Sequence, residues 1–167
     1  MPTDRDLEIV LEQERRVQFS SFDEEAAFSI GSAIRERGLA AGYALVIDIR
    51  LFDRKLFFAG LPGSTISLAD WTRRKLNTVK VFHKSSYRIV LEKPRADRLF
   101  EPMHNLPASD YVVVGGAFPI TLKGAGVVGA VAVAGAQMRD DHNMVVAAMC
   151  QHIGIGDGAL VLPPLEE

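Results

Sequence analysis

"GGAFPITLKGAGVVGAVAVAG", residues 115–135, is the stretch that carries the clearest indication of the fold. Its two apolar halves are rich in β-branched residues and alanine, a composition that favours buried strands. Between the halves, residues 123–126 supply glycines for the positive φ angles of a tight turn. The stretch is therefore predicted to form a β-hairpin.

The same residues contain the glycine pattern of a dinucleotide-binding loop. Gly124, Gly126 and Gly129 fit G-x-G-x-x-G. That fingerprint works only where it follows a strand and opens a helix, so that a pyrophosphate meets free N–H groups at the helix N-terminus. The residues after Gly126 favour a strand, and too few follow for the βαβ units of such a fold. The sequence argues against dinucleotide binding.

The second half of the hairpin also predicts how the sheet packs. Val131 and Val133 put bulk on one face, whereas Ala130, Ala132 and Ala134 make the other face shallow. A shallow face allows a helix, a second sheet or a flat ligand to approach closely. A packed helix is the interpretation that we favour.

Upstream of the hairpin, hydrophobic spacing predicts two helices and a second hairpin. The first helix is predicted over residues 5–19 and the second over 20–38, with Ser21 and Glu24 as a capping box and Gly38 at its end. A β-hairpin is predicted over 43–63.

Two further helices are predicted around the central hairpin. One is long, begins at a Ser67–Asp70 cap, and kinks or restarts at Ser85 before Pro94 ends it. The last begins near Met138, with carboxylates at the positive end of its dipole. The chain is predicted to be one domain, 1–167, with residues 155–167 as a C-terminal tail or an arm on a neighbour.

The composition is ordinary for a single soluble domain, with 48% hydrophobic and 24% charged residues. No apolar run is long enough to span a bilayer, and the charged N-terminus lacks the apolar stretch of a signal peptide. The single cysteine, Cys150, excludes an internal disulfide and is interpreted as a packing residue. These features predict a cytoplasmic location and no membrane partner.

Charge is distributed unevenly along the chain. The net charge is −2, yet residues 71–98 contain nine Lys or Arg residues against two acids. Such a segment could meet nucleic acid, an anionic cofactor or an acidic surface of another subunit, or it could be a solvated helix face. Nucleic-acid binding is the weakest of these hypotheses, because aromatic residues are not interleaved among the cations in a pattern that would stack on bases.

The sequence resembles a known family. "GGAFPITLKGAGVVGAVAVAGAQMRDDHNMVVAAM", residues 115–149, resembles the C-terminal signature of the haem-degrading-domain family, the GlcG/HbpS-like proteins. "RKLNTVKVFHKSS" and "DYVVVGGAFPI" are similar to its UPF-type, uncharacterised cytoplasmic branch. The resemblance covers most of residues 5–154. Ala134 stands where better-known haem-binding relatives have serine, and the secretion signal of those relatives is missing here.

The resemblance implies a fold, an assembly and a ligand. The fold is α/β (α+β) and profilin-like, an antiparallel sheet of about five strands with helices packed against it. The assembly is a homo-oligomer, in which dimers associate into larger rings or shells. Some members bind haem and promote its oxidative breakdown, whereas others accompany metabolic enzymes without an assigned reaction.

Four residues of the long helix and its continuation are candidates for holding haem. His83 could be an axial ligand to the iron, with Lys80, Lys84 or Arg88 pairing the propionates. The alternative is that His83 follows Val79 by one turn and simply ends an apolar stripe.

The glycine pair before the hairpin is a candidate for the wall of the same slot. Backbone at Gly115 and Gly116 can approach a ligand without interference from a Cβ atom. Phe118 and Pro119 would line the slot. Hairpin geometry explains the same residues nearly as well.

Three residues are candidates for a metal site. His104 lies in a loop, and Asp141 and His142 lie beside Asp140 at a helix start, where they could bind a divalent ion if another chain completed the shell. The alternatives are an exposed loop histidine and carboxylates that cap the helix.

These observations support two functional hypotheses. The first is an oligomeric cytoplasmic small-molecule-binding protein that binds haem and breaks it down weakly by oxidation. The second is a non-enzymatic assembly or accessory protein that binds other proteins through its oligomeric surface. The chain has no G-x-S-x-G, H-E-x-x-H, C-x-x-C or Walker motif, so no catalytic residue is assigned and enzymatic activity stays open.

Overall fold

A computed structural model describes residues 2–156 and 158–165 of the chain. Four strands lie in it: β1 Val46–Leu51, β2 Arg54–Gly60, β3 Ala117–Leu122 and β4 Gly126–Ala134. They form one antiparallel sheet in the order β2-β1-β4-β3. The helices are α1 Pro2–Arg16, α2 Glu24–Ala41, α3 Ile66–Phe82, α4 Ser86–Glu92 and α5 Met138–Ile153, with a 3-10 turn at Pro102–His104. Within the described ranges, none of these helices is both long enough and apolar enough to cross a membrane.

The central hairpin is confirmed. β3 and β4 pair antiparallel, and the turn between them places Gly124 at φ 79° and Gly126 at φ 90°. These angles are readily adopted only by glycine. The chain after Gly126 continues as strand, so no helix N-terminus faces the glycine pattern.

The sheet has four strands, and the expected five is wrong. The nearest approach to a fifth strand is at Phe19, whose N–H donates to the Thr121 carbonyl over 2.9 Å and whose carbonyl accepts from Lys123 over 2.8 Å. This contact is an isolated bridge beside β3. β3 begins at Ala117, two residues into the quoted stretch, after Gly116, whose φ of 129° lies outside the range of an extended strand.

The two faces of the sheet are covered by different helices. On the shallow face, Leu76 and Val79 of α3 pack against Ala117, Ala130 and Ala132, as predicted. On the opposite face, α2 and α5 cover the main core. The alternation of valine and alanine in β4 therefore divides the interior into a thin layer under α3 and a thick layer under α2 and α5.

Two predicted helix caps differ from the observed ones. Asp23, not Ser21, caps α2, and its Oδ1 accepts from the Ala26 N–H over 2.9 Å. The helix runs past Gly38 to Ala41 and ends at Gly42 in the left-handed conformation. Gly38 has a packing role within the helix instead, because a Cβ at that position would lie 2.6 Å from the Leu45 side chain.

The long third helix starts earlier than predicted and is divided where expected. Its N-cap is Thr65 rather than Ser67. α3 ends at Phe82, and His83 follows as its C-cap with a φ of 55°. α4 starts after Ser85, whose hydroxyl accepts from the Arg88 N–H over 3.2 Å. The serine pair thus works as a helix break followed by a new cap.

The described part of the C-terminal segment packs against its own chain. Leu160 and Leu162 are buried. The Gln13 side chain donates to the Leu160 carbonyl over 2.6 Å, and Asn143 exchanges two hydrogen bonds with the Leu162 backbone. This segment therefore joins α1 to α5.

Candidate functional site

The basic segment predicted from the sequence is largely neutralised within the chain. Among the described residues, eight of its nine cations form ion pairs. The pairs are Arg73–Asp110, Arg74–Asp70, Lys75–Asp141, Lys80–Asp53, Lys84–Glu92, Arg88–Glu14, Lys93–Glu101 and Arg95–Asp97. Arg98 is the exception. The segment therefore does not present one continuous basic surface. Its residues line two clefts.

The first cleft lies beside the loop that carries His104. It has a volume of about 150 Å³ and apolar walls that include Ile89 and Val113. The Phe82 and Phe100 rings stack in it with their centroids 5.3 Å apart. The His104 ring meets the Phe100 ring nearly edge-on at 6.2 Å. An exposed imidazole thus stands beside a stacked aromatic pair.

Three cations surround this cleft, and each has an acidic partner. Lys84 pairs with Glu92 at 3.0 Å. Glu101 accepts from Lys93 at 3.2 Å and from Arg95 at 3.3 Å. The hydrogen bond from Lys93 holds the pKa of Glu101 below its usual value. An anion that entered the cleft would therefore compete with Glu92 and Glu101 for these cations.

His83 and Arg88, predicted as haem contacts, lie outside that cleft. The exposed His83 ring stacks on Phe52, with centroids 6.2 Å apart. The Arg88 guanidinium donates to Glu14 over 2.8 Å and to Glu92 over 2.7 Å. Arg88 therefore ties α4 to α1.

Gly115, Gly116 and Phe118 serve packing within the chain. A Cβ at Gly115 would lie 2.8 Å from the Tyr87 ring, and one at Gly116 would lie 2.6 Å from Lys75 Nζ. Phe118 is buried in the main core under α2 and α5. Successive residues of a strand face opposite sides of the sheet, and Phe118 faces away from α3. His83 lies at the end of α3, so the sheet separates it from Phe118. The structure does not bring the five predicted slot residues together.

The predicted metal residues are also dispersed. Asp141 is buried against Lys75, His142 is fully buried, and His104 is exposed in its loop. The part of the chain that the structure describes contains no group of three or more His, Cys, Asp or Glu residues arranged to hold a metal ion.

The most unusual charges in the described chain are those of Lys75 and Asp141. Each residue is 2% exposed, and Lys75 Nζ lies 3.1 Å from Asp141 Oδ2. The ammonium also donates to the Val133 carbonyl over 2.8 Å, and Asp141 Oδ1 accepts from the Ala136 N–H over 3.0 Å. Burial raises the pKa of Asp141 to about 6 against the effect of the neighbouring ammonium, and burial lowers the pKa of Lys75.

This ion pair lies on the wall of a second cleft of about 290 Å³. The cleft is lined by Trp71 of α3, Arg98, Val114 and the first residues of α5. Sequence reasoning missed Lys75 and Arg98 as site residues. The sequence did contain one signal, a lysine beside Leu76 on the inner side of a helix. Because an unpaired lysine is rarely buried, this position indicated a buried acidic partner.

His142 occupies a buried polar site next to α1. Its Nε2 lies 2.7 Å from Gln13 Oε1, and its ring contacts the rings of Tyr87 and Phe118. Its charged neighbours are Asp6 of α1 and Arg139 of α5, which form a bidentate pair. Burial lowers the pKa of His142 to about 3, so the imidazole is neutral in the folded protein.

This buried histidine predicts a loss of stability in acid. The folded-state pKa lies below the ordinary 6.5, so the unfolded chain takes up the proton first. Between pH 7 and pH 5, this residue should lower the free energy of unfolding by about 2 kcal/mol. Urea unfolding at the two pH values measures this fall, which should be smaller in His142→Gln than in the wild-type protein. The raised pKa of Asp141 acts in the opposite direction in both proteins. An equal fall in the free energy of unfolding of the two proteins would contradict the lowered pKa of His142.

The fold and its clefts define the class of protein. It is an α+β domain with one antiparallel sheet covered on both faces, in which the loops and helix ends around α3 form the clefts. The family model described as "Haem degrading protein HbpS-like" matches residues 22–150. The chain belongs to this HbpS-like haem-degrading family.

Relatives and solved structures agree with this assignment. A UPF0303 protein of Mesorhizobium japonicum is 50% identical over 157 residues, which cover 94% of each chain. The crystal structure of the Ybr137w protein superposes with a TM-score of 0.80 at 25% identity, covering 89% of each chain. A structure described as a PduOC:heme complex has the same fold, with a TM-score of 0.67 at 12% identity over 82% of this chain and 98% of that one.

Proposed function

We propose that the protein binds haem and that the His104 cleft holds it. The observation that carries the proposal is the exposed imidazole beside the stacked Phe82 and Phe100 rings. Membership of the HbpS-like haem-degrading family supports it, as does the haem complex of a protein with the same fold.

The chemistry of the cleft suits an iron porphyrin. Histidine is a common axial ligand of haem iron, and the apolar aromatic walls match the face of the macrocycle. Lys84, Lys93 and Arg95 would pair with the propionates in exchange for their present carboxylate partners. The cleft volume of about 150 Å³ is below that of pockets that enclose drug-sized ligands, so it would hold only part of the macrocycle.

In this arrangement each residue has a separate role. His104 would bind the iron, the two phenylalanine rings would exclude water from one side, and the cations would orient the propionates. Bound haem would supply redox chemistry that the side chains themselves lack. Weak oxidative breakdown of the haem stays a prediction, and no residue is assigned to it.

Haem titration of His104→Asn tests the proposal. We expect the wild-type protein to shift the Soret absorbance saturably, and the variant to bind at least about tenfold more weakly because the axial ligand is lost. His83→Asn is the matched control, since it removes another exposed histidine that stacks on an aromatic ring outside the cleft. Its binding should equal that of the wild type.

Two results would contradict the proposal. One is the absence of a saturable Soret shift with the wild-type protein. The other is loss of binding in His83→Asn with binding retained in His104→Asn, which would return the ligand to the position predicted from the sequence.

An assembly or accessory role is the second candidate. Phe28 and Phe58 are exposed large hydrophobic residues on α2 and on β2, and β2 is an edge strand of the sheet. Exposed aromatic side chains and an unpaired strand edge are typical of surfaces that bind other chains. Light scattering on the haem-titration sample tests this role. A uniform oligomer that does not bind haem would favour it over the first proposal.

A further inference from the structure

We propose that the cleft beside Lys75 and Asp141 binds a small organic carboxylate. In this site Arg98 pairs with the carboxylate and Lys75 donates a hydrogen bond to a second oxygen of the ligand. The cleft shares no lining residue with the His104 cleft, so the inference is independent of haem binding.

Arg98 lines the cleft as a cation that has no acidic partner in the described part of the chain. Among the described residues it is the one member of the basic segment that forms no ion pair. Its backbone is nevertheless held, because its N–H donates to the Arg95 carbonyl over 3.1 Å and its carbonyl accepts from the Val113 N–H over 2.8 Å. Its φ is 60°, in the left-handed region. The backbone of Arg98 is thus held beside the cleft, and its side-chain charge is available for a ligand.

Lys75 supplies a buried donor on the wall of the same cleft. An ammonium group has three N–H donors. Two of them reach the Val133 carbonyl and Asp141, and the described residues provide no acceptor for the third. An unfilled donor on a buried charge costs stability, which a ligand oxygen would restore. Gly116 accommodates the ammonium itself, since a Cβ there would lie 2.6 Å from Nζ.

The charge balance of the cleft favours an anion. Lys75 and Asp141 offset each other, and both Asp141 oxygens already accept from the chain. Arg98 remains, near the N-terminus of α5, whose first turn already holds Asp140 and Asp141. The Arg98 guanidinium therefore selects a negative ligand.

The walls favour an organic anion over an inorganic one. Leu68, Trp71, Val114 and Met138 line the cleft and would contact a carbon skeleton. A carboxylate that also carries a hydroxyl or keto oxygen satisfies Arg98, the third N–H of Lys75 and these apolar walls together.

Titration of the ¹⁵N-labelled protein with sodium lactate tests the site. We expect saturable shifts of the Val114, Gln137 and Met138 amide signals, with weaker binding of sodium acetate, which lacks the second oxygen. Arg98→Asn should weaken lactate binding at least about tenfold through loss of the charged partner. Asparagine tolerates the left-handed backbone of this position, so the variant should keep its fold. Lys123→Asn is the matched control, because it removes an exposed cation in the β3–β4 turn.

Three results would overturn the proposal. Absence of saturable shifts with lactate would remove the site. Equal weakening in Arg98→Asn and Lys123→Asn would reduce the effect to net charge. Binding of sodium sulfate to the same amides as tightly as lactate would show recognition of charge without recognition of a carboxylate.

Discussion

Lys75→Met should lower the free energy of unfolding by about 3–5 kcal/mol. The change removes the ammonium and leaves the Asp141 carboxylate buried without a counter-ion. Protonation of Asp141 will reduce this destabilisation, because the pKa of the carboxyl should rise further without Lys75. Urea unfolding at pH 7 measures the effect.

The double variant Lys75→Met/Asp141→Asn separates the charge from the packing. Asparagine keeps an oxygen that can accept from the Ala136 N–H but carries no charge, so most of the lost stability should return. Arg54→Met is the control, since it breaks the exposed pair with Glu24 and should change stability little. Wild-type stability in Lys75→Met would show that the buried pair does not form.

Phe118→Ala should destabilise the ligand-free protein by about 3–5 kcal/mol. The ring is 1% exposed and packs in the main core, where it also meets His142 edge-on. Its removal leaves a cavity that the surrounding strand and helix residues fill only in part. Urea unfolding without added ligand measures this loss.

Phe58→Ala provides the same chemical change at an exposed site. Phe58 is 46% exposed on β2, so its truncation should cost about 1 kcal/mol or less. If Phe118 lined a ligand slot, as the sequence suggested, Phe118→Ala would weaken binding and leave the unfolding free energy close to that of the wild type. That result would contradict its place in the core.

The parts of the fold that depend on local chemistry were predictable from the sequence. Gly124 and Gly126 indicated the hairpin turn, because positive φ angles are a property of single residues. The valines and alanines of β4 indicated which face of the sheet a helix approaches closely, since side chains alternate along a strand. The helix break at Ser85 followed from the same kind of local rule.

Predictions that needed the path of the chain were less successful. The cap of α2 moved by two residues to Asp23, because several polar residues near a helix start compete for the same N–H groups. A fifth strand was expected from resemblance, yet Phe19 contributes one isolated bridge. The five predicted slot residues were scattered, since their spacing in sequence did not reveal that the sheet lies between Phe118 and α3.

By itself, then, the sequence determined the family, the central hairpin and the covering of its alanine face, because these follow from residue type and short-range periodicity. The tertiary structure alone decided which charged and polar groups meet. Lys75 contacts Asp141, 66 positions away, and His142 contacts Gln13, 129 positions away. Arg98 has no acidic partner among the described residues. Burial shifts the pKa values of Lys75, Asp141 and His142, and burial depends on how α1, α3 and α5 pack around the sheet. The candidate chemistry of this protein therefore arises from long-range packing.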